Sequence, residues 1–161
     1  MERLWAPWRM EYITEEPRSG CLFCRVIEDP ADPDAALVVW RPAGAVVLLN
    51  KYPYNPGHVM VAPVAHLGNL DDLDDAQAAE LMRALKTTIT VLKMTLKPEG
   101  FNVGANIGRV AGAGIPDHVH LHVVPRWNGD TNFMPVLGEV KVINEHLTQT
   151  AAKLSEAFPS S

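Results

Sequence analysis

The chain has 161 residues, of which 47% are hydrophobic and 20% charged, and its formal net charge is −5. This length and composition are typical of a single globular domain with enough apolar side chains for a core. Because the chain has no excess of basic residues, a nucleic-acid partner is not expected. The negative net charge does not exclude small anionic ligands, since local groups can bind them. No apolar run reaches the 18 residues of a membrane span and no secretory signal is present, which predicts a cytoplasmic protein without membrane contact.

The first part of the chain is predicted to contain three strands. Residues 1–36 include four prolines and are expected to be irregular. Two β-rich runs, 36–40 and 45–50, flank the turn sequence RPAG and predict a hairpin. After a proline-containing loop at 51–57, residues 58–63 predict the third strand.

A long helix is predicted after the third strand. Asp74 and Gln77 have the spacing of a capping box, which marks a helix start. Pro98 is expected to end the helix. Apolar residues recur between these two points at near-helical spacing: Leu81, Leu85, Ile89, Leu92 and Leu96.

The remaining elements complete the predicted fold. A strand at 101–107, a Gly/Ala-rich loop and a histidine-containing strand precede a short strand near 136–143 and a helix at about 145–157. Strands, one long helix, further strands and a C-terminal helix predict an α+β fold with an antiparallel meander sheet. The predicted organisation is one domain, 1–161, with a catalytic core at about 37–135 and a tail and helix at 136–161.

Three of the six histidines alternate in the stretch PDHVHLHVVPRW: His118, His120 and His122. On a β-strand their side chains share one face, and the apolar residues between them face a core. Three interpretations compete: a chance run, a transition-metal centre, and nucleophilic catalysis by the middle histidine. Alternate strand residues are about 6.6 Å apart, which argues against one ion bound by all three.

A histidine nucleophile suits phosphorus as its target. Neutral imidazole attacks without first losing a proton, provided that an acceptor holds its other ring nitrogen. Donors for the phosphate oxygens are also required, and backbone N–H groups of a glycine-rich turn can supply them. The segment GRVAGAG ends four residues before His118, which is where such donors are needed.

The stretch HVHLHVV resembles the signature of the histidine-triad (HIT) superfamily. The superfamily's upstream strand–loop–strand is resembled by NKYPYNPGHVMVAP, and its Fhit-like and diadenosine tetraphosphate phosphorylase-like branch by HVVPRW. The start of the bacterial members of that branch is resembled by LWAPWRMEYI with CLFC. The resemblance covers about residues 3–135. It implies a HIT-like fold, a homodimer, and a nucleotidyl hydrolase or transferase that acts on dinucleoside polyphosphates or related nucleotide conjugates.

The resemblance also implies roles for four histidines. His120 would be the nucleophile that attacks the α-phosphorus, and the backbone carbonyl of His118 would orient it. His122 would contact the phosphate and the bridging oxygen, and His58 would be a fourth histidine that buffers the triad. No cofactor would be required for this chemistry.

Nucleotide-binding residues follow from the same resemblance. Asn50 matches the position that binds the ribose hydroxyls, and Asn106 matches a polar residue near the phosphates. The glycine-rich loop that includes Gly112 and Gly114 would bind phosphate through its backbone. Fhit-type hydrolases have glutamine where this chain has Gly114, and related phosphorylases have a small hydroxyl residue. This departure leaves water and phosphate both open as acceptors and favours hydrolysis or mixed behaviour.

The two cysteines, Cys21 and Cys24, predict a metal or redox pair in a reducing compartment, with two free thiols as the alternative. Two cysteines do not complete a tetrahedral zinc site, which needs four ligands. Zinc-bearing HIT-like proteins supply the other two from positions that His66 and His118 match. The resemblance therefore implies a structural zinc site.

Other classes of function stay open at this point. A diadenosine tetraphosphate phosphorylase, a nucleotide-binding regulator with weak turnover and a zinc-dependent hydrolase are alternatives to the predicted hydrolase or transferase. The products formed from diadenosine polyphosphates, with and without phosphate, would distinguish them.

Overall fold

The computed structural model describes residues 19–130 and 146–160. The helices are α1 (Leu22–Glu28), α2 (Asp75–Leu96) and α3 (Leu147–Ala157). The strands are β1 (Val38–Trp40), β2 (Ala45–Leu49), β3 (Val59–Pro63), β4 (Gly100–Gly104) and β5 (Leu121–Arg126). No helix in these described ranges is long and apolar enough to cross a membrane.

The five strands form one antiparallel sheet in the order β1-β2-β3-β5-β4. The predicted α+β fold with an antiparallel sheet, one long helix and a C-terminal helix is therefore confirmed. The meander runs without interruption from β1 to β3. The chain then crosses through α2 to the far strand β4, and β5 returns to pair between β3 and β4. This insertion places the histidine-bearing strand inside the sheet.

The sheet is covered on both faces, which explains its continuous hydrophobic strands. All five residues of β2 are buried, and they alternate between two clusters. Val47 and Leu49 belong to the larger cluster, which contains residues of α2 and α3. Val46 and Leu48 belong to the smaller cluster, which contains Phe23 and other α1 residues. Alternation along a strand sends neighbouring side chains to opposite faces, so both α1 and the α2–α3 layer bury the same strand.

The ends of α2 follow the local sequence signals. The Asp74 carboxylate accepts the Gln77 N–H at 2.8 Å, and the Gln77 side-chain oxygen accepts the Asp74 N–H at 3.0 Å. This is the predicted capping box, and it satisfies two of the amides that a helix start leaves without intrahelical partners. The helix ends at Leu96, where Lys97 takes a left-handed conformation just before Pro98.

The prediction that residues 1–36 are irregular is wrong for part of that segment. Residues 22–28 form α1, and Pro33–Leu37 form a short 3₁₀ helix that occupies the start of the predicted strand 36–40. The N-cap residue Cys21 makes no side-chain capping bond. A seven-residue helix without such a signal is stabilised by tertiary packing, here of its buried Phe23 and Val26 against the sheet.

The last predicted elements are partly tested. The strand predicted at 101–107 ends at Gly104, and the predicted C-terminal helix is present as α3. The strand predicted near 136–143 lies outside the described residues. Phe158, just after α3, stacks on Trp40 of β1 with ring centroids 5.1 Å apart, which fastens the C-terminal helix to the sheet edge.

Candidate functional site

Alternation along the β5 segment brings the histidines to the face covered by α1. Regular strand pairing begins at Leu121, but the backbone before it is already held by the bond from the Val119 N–H to the Leu67 carbonyl. His122 pairs with Met60 of β3 and with Gly104 of β4. Directly opposed residues share one face of a sheet. A Cβ on Gly104 would meet nothing within 4 Å, so the side of His122 toward β4 is open.

The His120 ring is fixed in one tautomer by the backbone. Its Nδ1 donates a hydrogen bond to the His118 carbonyl at 2.8 Å. In the neutral ring the other nitrogen, Nε2, then has no proton and carries a lone pair. The residue is only 4% exposed, and burial lowers the pKa of His120, with the bond to the His118 carbonyl acting in the opposite direction. The site therefore presents one neutral, oriented imidazole nitrogen.

Phe23 of α1 packs against the rings of His118 and His120 and supports their orientation. It is fully buried, and its ring centroid lies 5.0 Å from that of His118 and 4.9 Å from that of His120. A rigid apolar ring against both imidazoles restricts their rotation and excludes water from their inner side. The packing of α1 is thus part of the site.

A second pair of histidines forms a chain of hydrogen bonds. The Tyr54 backbone N–H donates to His58 Nδ1 at 3.0 Å, and His58 Nε2 lies 2.9 Å from His122 Nδ1. Because an amide N–H only donates, Nδ1 of His58 is the acceptor and its Nε2 carries the proton. His58 then donates to Nδ1 of His122, and the neutral His122 keeps its proton on Nε2. The site pairs a lone-pair nitrogen on His120 with an N–H donor on His122.

Acid is expected to destabilise the fold through His122. Burial, followed by the charge of His120, lowers the pKa of His122 from 6.5 to about 4. Between these two values the unfolded chain binds the proton more readily, so the free energy of unfolding falls as pH drops through this window. For the shift of the His122 pKa we expect the free energy of unfolding to be lower by about 3 kcal/mol at pH 4. Chemical denaturation of wild type and His122→Gln from pH 7 to 4 measures it.

The control for this pH series is the same substitution at the exposed His146, which lies outside the site. His146→Gln should follow the wild-type pH curve, whereas His122→Gln should lose less stability in acid. Parallel curves for His122→Gln and wild type would contradict the assignment.

Cys21, Cys24, His66 and His118 converge on one point, as a metal site requires. Their four ligand atoms all lie within 4.8 Å of one another. His118 Nδ1 is 3.3 Å from Cys21 Sγ, 3.7 Å from Cys24 Sγ and 3.3 Å from His66 Nδ1, and Cys24 Sγ is 3.2 Å from His66 Nδ1. Tetrahedral zinc with bonds of about 2.3 Å to sulfur and about 2.0 Å to nitrogen has ligand–ligand edges of about 3.3–3.8 Å. The four residues therefore fit zinc.

The orientation of His118 assigns its side chain to this cluster. Its Nε2 donates to the Pro63 carbonyl at 2.8 Å, which leaves Nδ1 for the metal. Burial, and then the nearby Cys21 thiol, raises the pKa of Cys24 to about 11, so metal binding must displace a proton from this thiol. His118 thus contributes to the structure in two ways, through a side chain in the Cys₂His₂ cluster and through a carbonyl that holds His120.

The residues predicted to bind nucleotide lie in loops that follow β2 and β4. Asn50, at the end of β2, accepts the Tyr52 N–H through Oδ1 at 2.9 Å, and its backbone N–H donates to the His58 carbonyl. Asn106 is half-buried just after β4. Gly112 takes a positive φ of 90° and Gly114 is exposed on the loop that leads to His118. Their roles toward a nucleotide stay predictions.

Four residues in or beside the site were missed by sequence reasoning: Phe23, Tyr54, Asn55 and Asp130. Phe23 and Tyr54 contact the histidines through rings or a backbone amide, and neither carries a reactive group that would single it out. Asn55 and Asp130 are joined by a hydrogen bond although they are 75 residues apart in the sequence. The one local signal was the placement of Phe23 inside the Cys-x-x-Cys segment.

These features define a class of protein in which an internal strand presents neutral, oriented histidines beside a Cys₂His₂ cluster that could hold a metal ion. A family model described as the HIT domain matches residues 33–129. The chain is 41% identical to an AP-4-A phosphorylase of Mycobacterium tuberculosis, over 96% of this chain and 83% of that protein. It is 35% identical to an uncharacterized HIT-like protein of Methanocaldococcus jannaschii, over 77% of this chain and 92% of that protein.

Solved structures show the same fold. A hypothetical histidine triad nucleotide-binding protein from Sulfolobus tokodaii superposes with a TM-score of 0.70 at 28% identity, covering 85% of this chain and 91% of that chain. A zinc-bound histidine triad family protein from Mycobacterium smegmatis superposes with a TM-score of 0.69 at 24% identity, covering 86% and 92%. The chain belongs to the HIT domain family, which supports a nucleotide-processing enzyme.

Proposed function

We propose that the protein cleaves dinucleoside polyphosphates such as diadenosine tetraphosphate through a covalent nucleotidyl-histidine on His120. The observation that carries this proposal is the bond from His120 Nδ1 to the His118 carbonyl, which leaves Nε2 unprotonated. Similarity to an AP-4-A phosphorylase over nearly the whole chain supports the substrate class. Asn50 would bind the ribose hydroxyls, and Asn106 with the loop around Gly112 and Gly114 would hold the phosphates.

In the first step, His120 Nε2 attacks the α-phosphorus and the bond from that phosphorus to the bridging oxygen breaks. The leaving nucleotide departs as a phosphate anion, which a hydrogen-bond donor stabilises. The Nε2–H of His122 is that donor, and the ring centroids of His120 and His122 lie 4.9 Å apart. The open side of His122 above Gly104 would let the polyphosphate reach the His122 ring.

In the second step, an acceptor displaces the histidine and restores the neutral imidazole. Phosphate as the acceptor releases ADP, and water releases AMP together with a proton. The glycine at position 114 contributes no side chain toward either acceptor. We propose phosphate, because the relative with 41% identity is a phosphorylase.

The products of diadenosine tetraphosphate cleavage test this proposal. We expect ADP and ATP to form in a phosphate-dependent reaction, with little product when phosphate is absent. Separation of the nucleotides by anion-exchange chromatography, with and without phosphate, measures both. Formation of AMP and ATP at a rate independent of phosphate would contradict phosphorolysis and identify a hydrolase.

We further propose that the Cys₂His₂ cluster binds one structural zinc. Two thiolates and two imidazoles close a tetrahedral shell, and a closed shell has no position for a substrate or for an activated water. When bound, zinc would join α1 to the segment that carries His118, and the chain's own residues would do the chemistry. This arrangement argues against a zinc-dependent hydrolase.

A homodimer with a second copy of this chain stays a prediction of the family resemblance. β4 is the last strand in the sheet order of the described residues, and its Val103 is 43% exposed. An edge strand with exposed apolar side chains is a site where a second chain can pair. The edge of β4 is therefore where we place the interface.

A further inference from the structure

A polar clamp formed by Asn55, Arg126 and Asp130 joins the loop before β3 to the end of β5. Asn55 Nδ2 donates to Asp130 Oδ2 at 2.7 Å and to the Pro125 carbonyl at 3.1 Å. The Arg126 guanidinium donates two hydrogen bonds to the same carboxylate, from Nε to Oδ2 at 2.6 Å and from Nη2 to Oδ1 at 2.9 Å. The Trp127 backbone N–H is a fourth donor to this carboxylate, at 3.2 Å. Because four donors surround it and its side chain is only 9% exposed, Asp130 is a fixed acceptor.

The clamp holds the loop that meets His58. Asn55 itself accepts the His58 backbone N–H through its carbonyl at 3.1 Å, and the preceding amide, that of Tyr54, donates to His58 Nδ1. The Tyr54 ring stacks on the His58 ring with centroids 4.7 Å apart. Gly57 completes the turn with a φ of 74°, and a Cβ there would lie 2.3 Å from a Leu96 methyl group. These contacts hold the loop against His58, and Asn55 ties it to the Pro125 carbonyl of β5 and to Asp130.

The position of this loop decides which nitrogen of His122 carries a proton. As long as the Tyr54 N–H meets His58 Nδ1, His58 must donate from Nε2, and His122 must keep its proton on its own Nε2. If the loop withdraws, His58 can protonate at Nδ1 and accept from His122, which would place the His122 proton on Nδ1. His122 would then offer a lone pair to the bridging oxygen in place of a donor.

We propose that Asn55, held by Asp130, is a positioning residue that fixes the His58–His122 pair in the tautomer with a donor on His122 Nε2. The value of that donor for the reaction rests on the proposed function, whereas the tautomer itself is a property of the free protein. Asn55 touches neither histidine ring through its side chain. It acts through the backbone of Tyr54.

Asn55→Asp tests the proposal, because it puts a second carboxylate against Asp130 at nearly unchanged size. Ring-nitrogen NMR shifts of ¹⁵N-labelled histidine at pH 8 report which nitrogen of His122 is protonated. We expect Nε2 alone in wild type and a mixture of both tautomers in the variant. We expect kcat to fall by about 10- to 100-fold, since a small misplacement in the site costs this much, and KM to change less than about twofold.

The matched control is Asn69→Asp. Asn69 Nδ2 donates to Asp72 Oδ2 at 2.8 Å, so this variant creates the same carboxylate pair on an exposed loop outside the site. It should leave the His122 tautomer and kcat unchanged. Asn55→Ala, which breaks the clamp without adding charge, should shift the tautomer in the same direction by a smaller amount.

Two outcomes would overturn the proposal. One is a folded Asn55→Asp or Asn55→Ala protein whose His122 remains protonated on Nε2 alone. The other is an equal tautomer shift in Asn69→Asp. The NMR readout does not depend on turnover, so a wild-type protein without phosphorolytic or hydrolytic activity would contradict the proposed function and still leave the tautomer result to decide this inference.

Discussion

Replacing His120 with glutamine is expected to lower the turnover of diadenosine tetraphosphate by at least about a thousandfold, while nucleotide affinity changes little. Glutamine approximates the volume of the ring beside Phe23, and its amide can still donate to the His118 carbonyl. An amide nitrogen has no lone pair available for attack on phosphorus, so the covalent step is lost while the binding surface remains. Steady-state kinetics and titration calorimetry measure the two effects separately.

The matched control for this variant is His146→Gln, the same substitution at an exposed histidine in front of α3. It should keep wild-type kinetics. Added imidazole should restore part of the turnover in His120→Gly, because a free imidazole can enter the space that the ring vacates. Wild-type turnover in His120→Gln would contradict the nucleophile. Tight binding of diadenosine tetraphosphate without turnover by the wild-type protein would instead indicate a binding regulator.

Replacing Cys24 with serine is expected to lower the melting temperature by about 10 °C, which corresponds to about 3–4 kcal/mol for a chain of this size. The unfolded chain has no preformed site, so the free energy of zinc binding adds to folding stability. Loss of one ligand leaves Cys21, His66 and His118 to hold the metal more weakly. Elemental analysis of the wild-type protein should find about one zinc per chain.

A chelator gives the control for the zinc prediction. It should lower the melting temperature of the wild-type protein and change that of Cys24→Ser much less, because the variant binds the metal too weakly to gain much stability from it. The turnover per folded molecule of Cys24→Ser should stay close to the wild-type value although its melting temperature falls, because neither cysteine is one of the reacting groups. Metal-free wild-type protein with an unchanged melting temperature would rule out a structural zinc.

The Cys₂His₂ cluster and His120 are connected in the structure, although their proposed tasks are different. His118 contributes its side chain to the cluster and its carbonyl to His120, and Phe23 packs against both rings from within the helix that follows Cys21. Loss of zinc should therefore lower stability and, to a smaller extent, disturb the orientation of His120. This link explains why one short helix matters to both stability and turnover.

The elements that the sequence by itself determined depend on local contacts. The capping box of Asp74 and Gln77 and the stop at Pro98 set the ends of α2, because their partners lie within three or four residues. Alternation in the β5 segment placed the three histidines on one face for the same local reason. The identity of the proposed zinc ligands came from resemblance to a family pattern, since spacing alone left free thiols and a redox pair open.

Only the tertiary structure decided the features that depend on distant contacts. The insertion of β5 between β3 and β4 arises from strand pairing across long stretches of chain, which no local pattern encodes. The helix α1 is too short to be stable alone and forms where Phe23 and Val26 bury against the sheet. The tautomers of His58 and His122 follow from a backbone amide held by the clamp of Asn55 and Asp130. Sequence supplies imidazoles, but which nitrogen carries the proton is decided by the hydrogen-bond partner that folding brings to each ring.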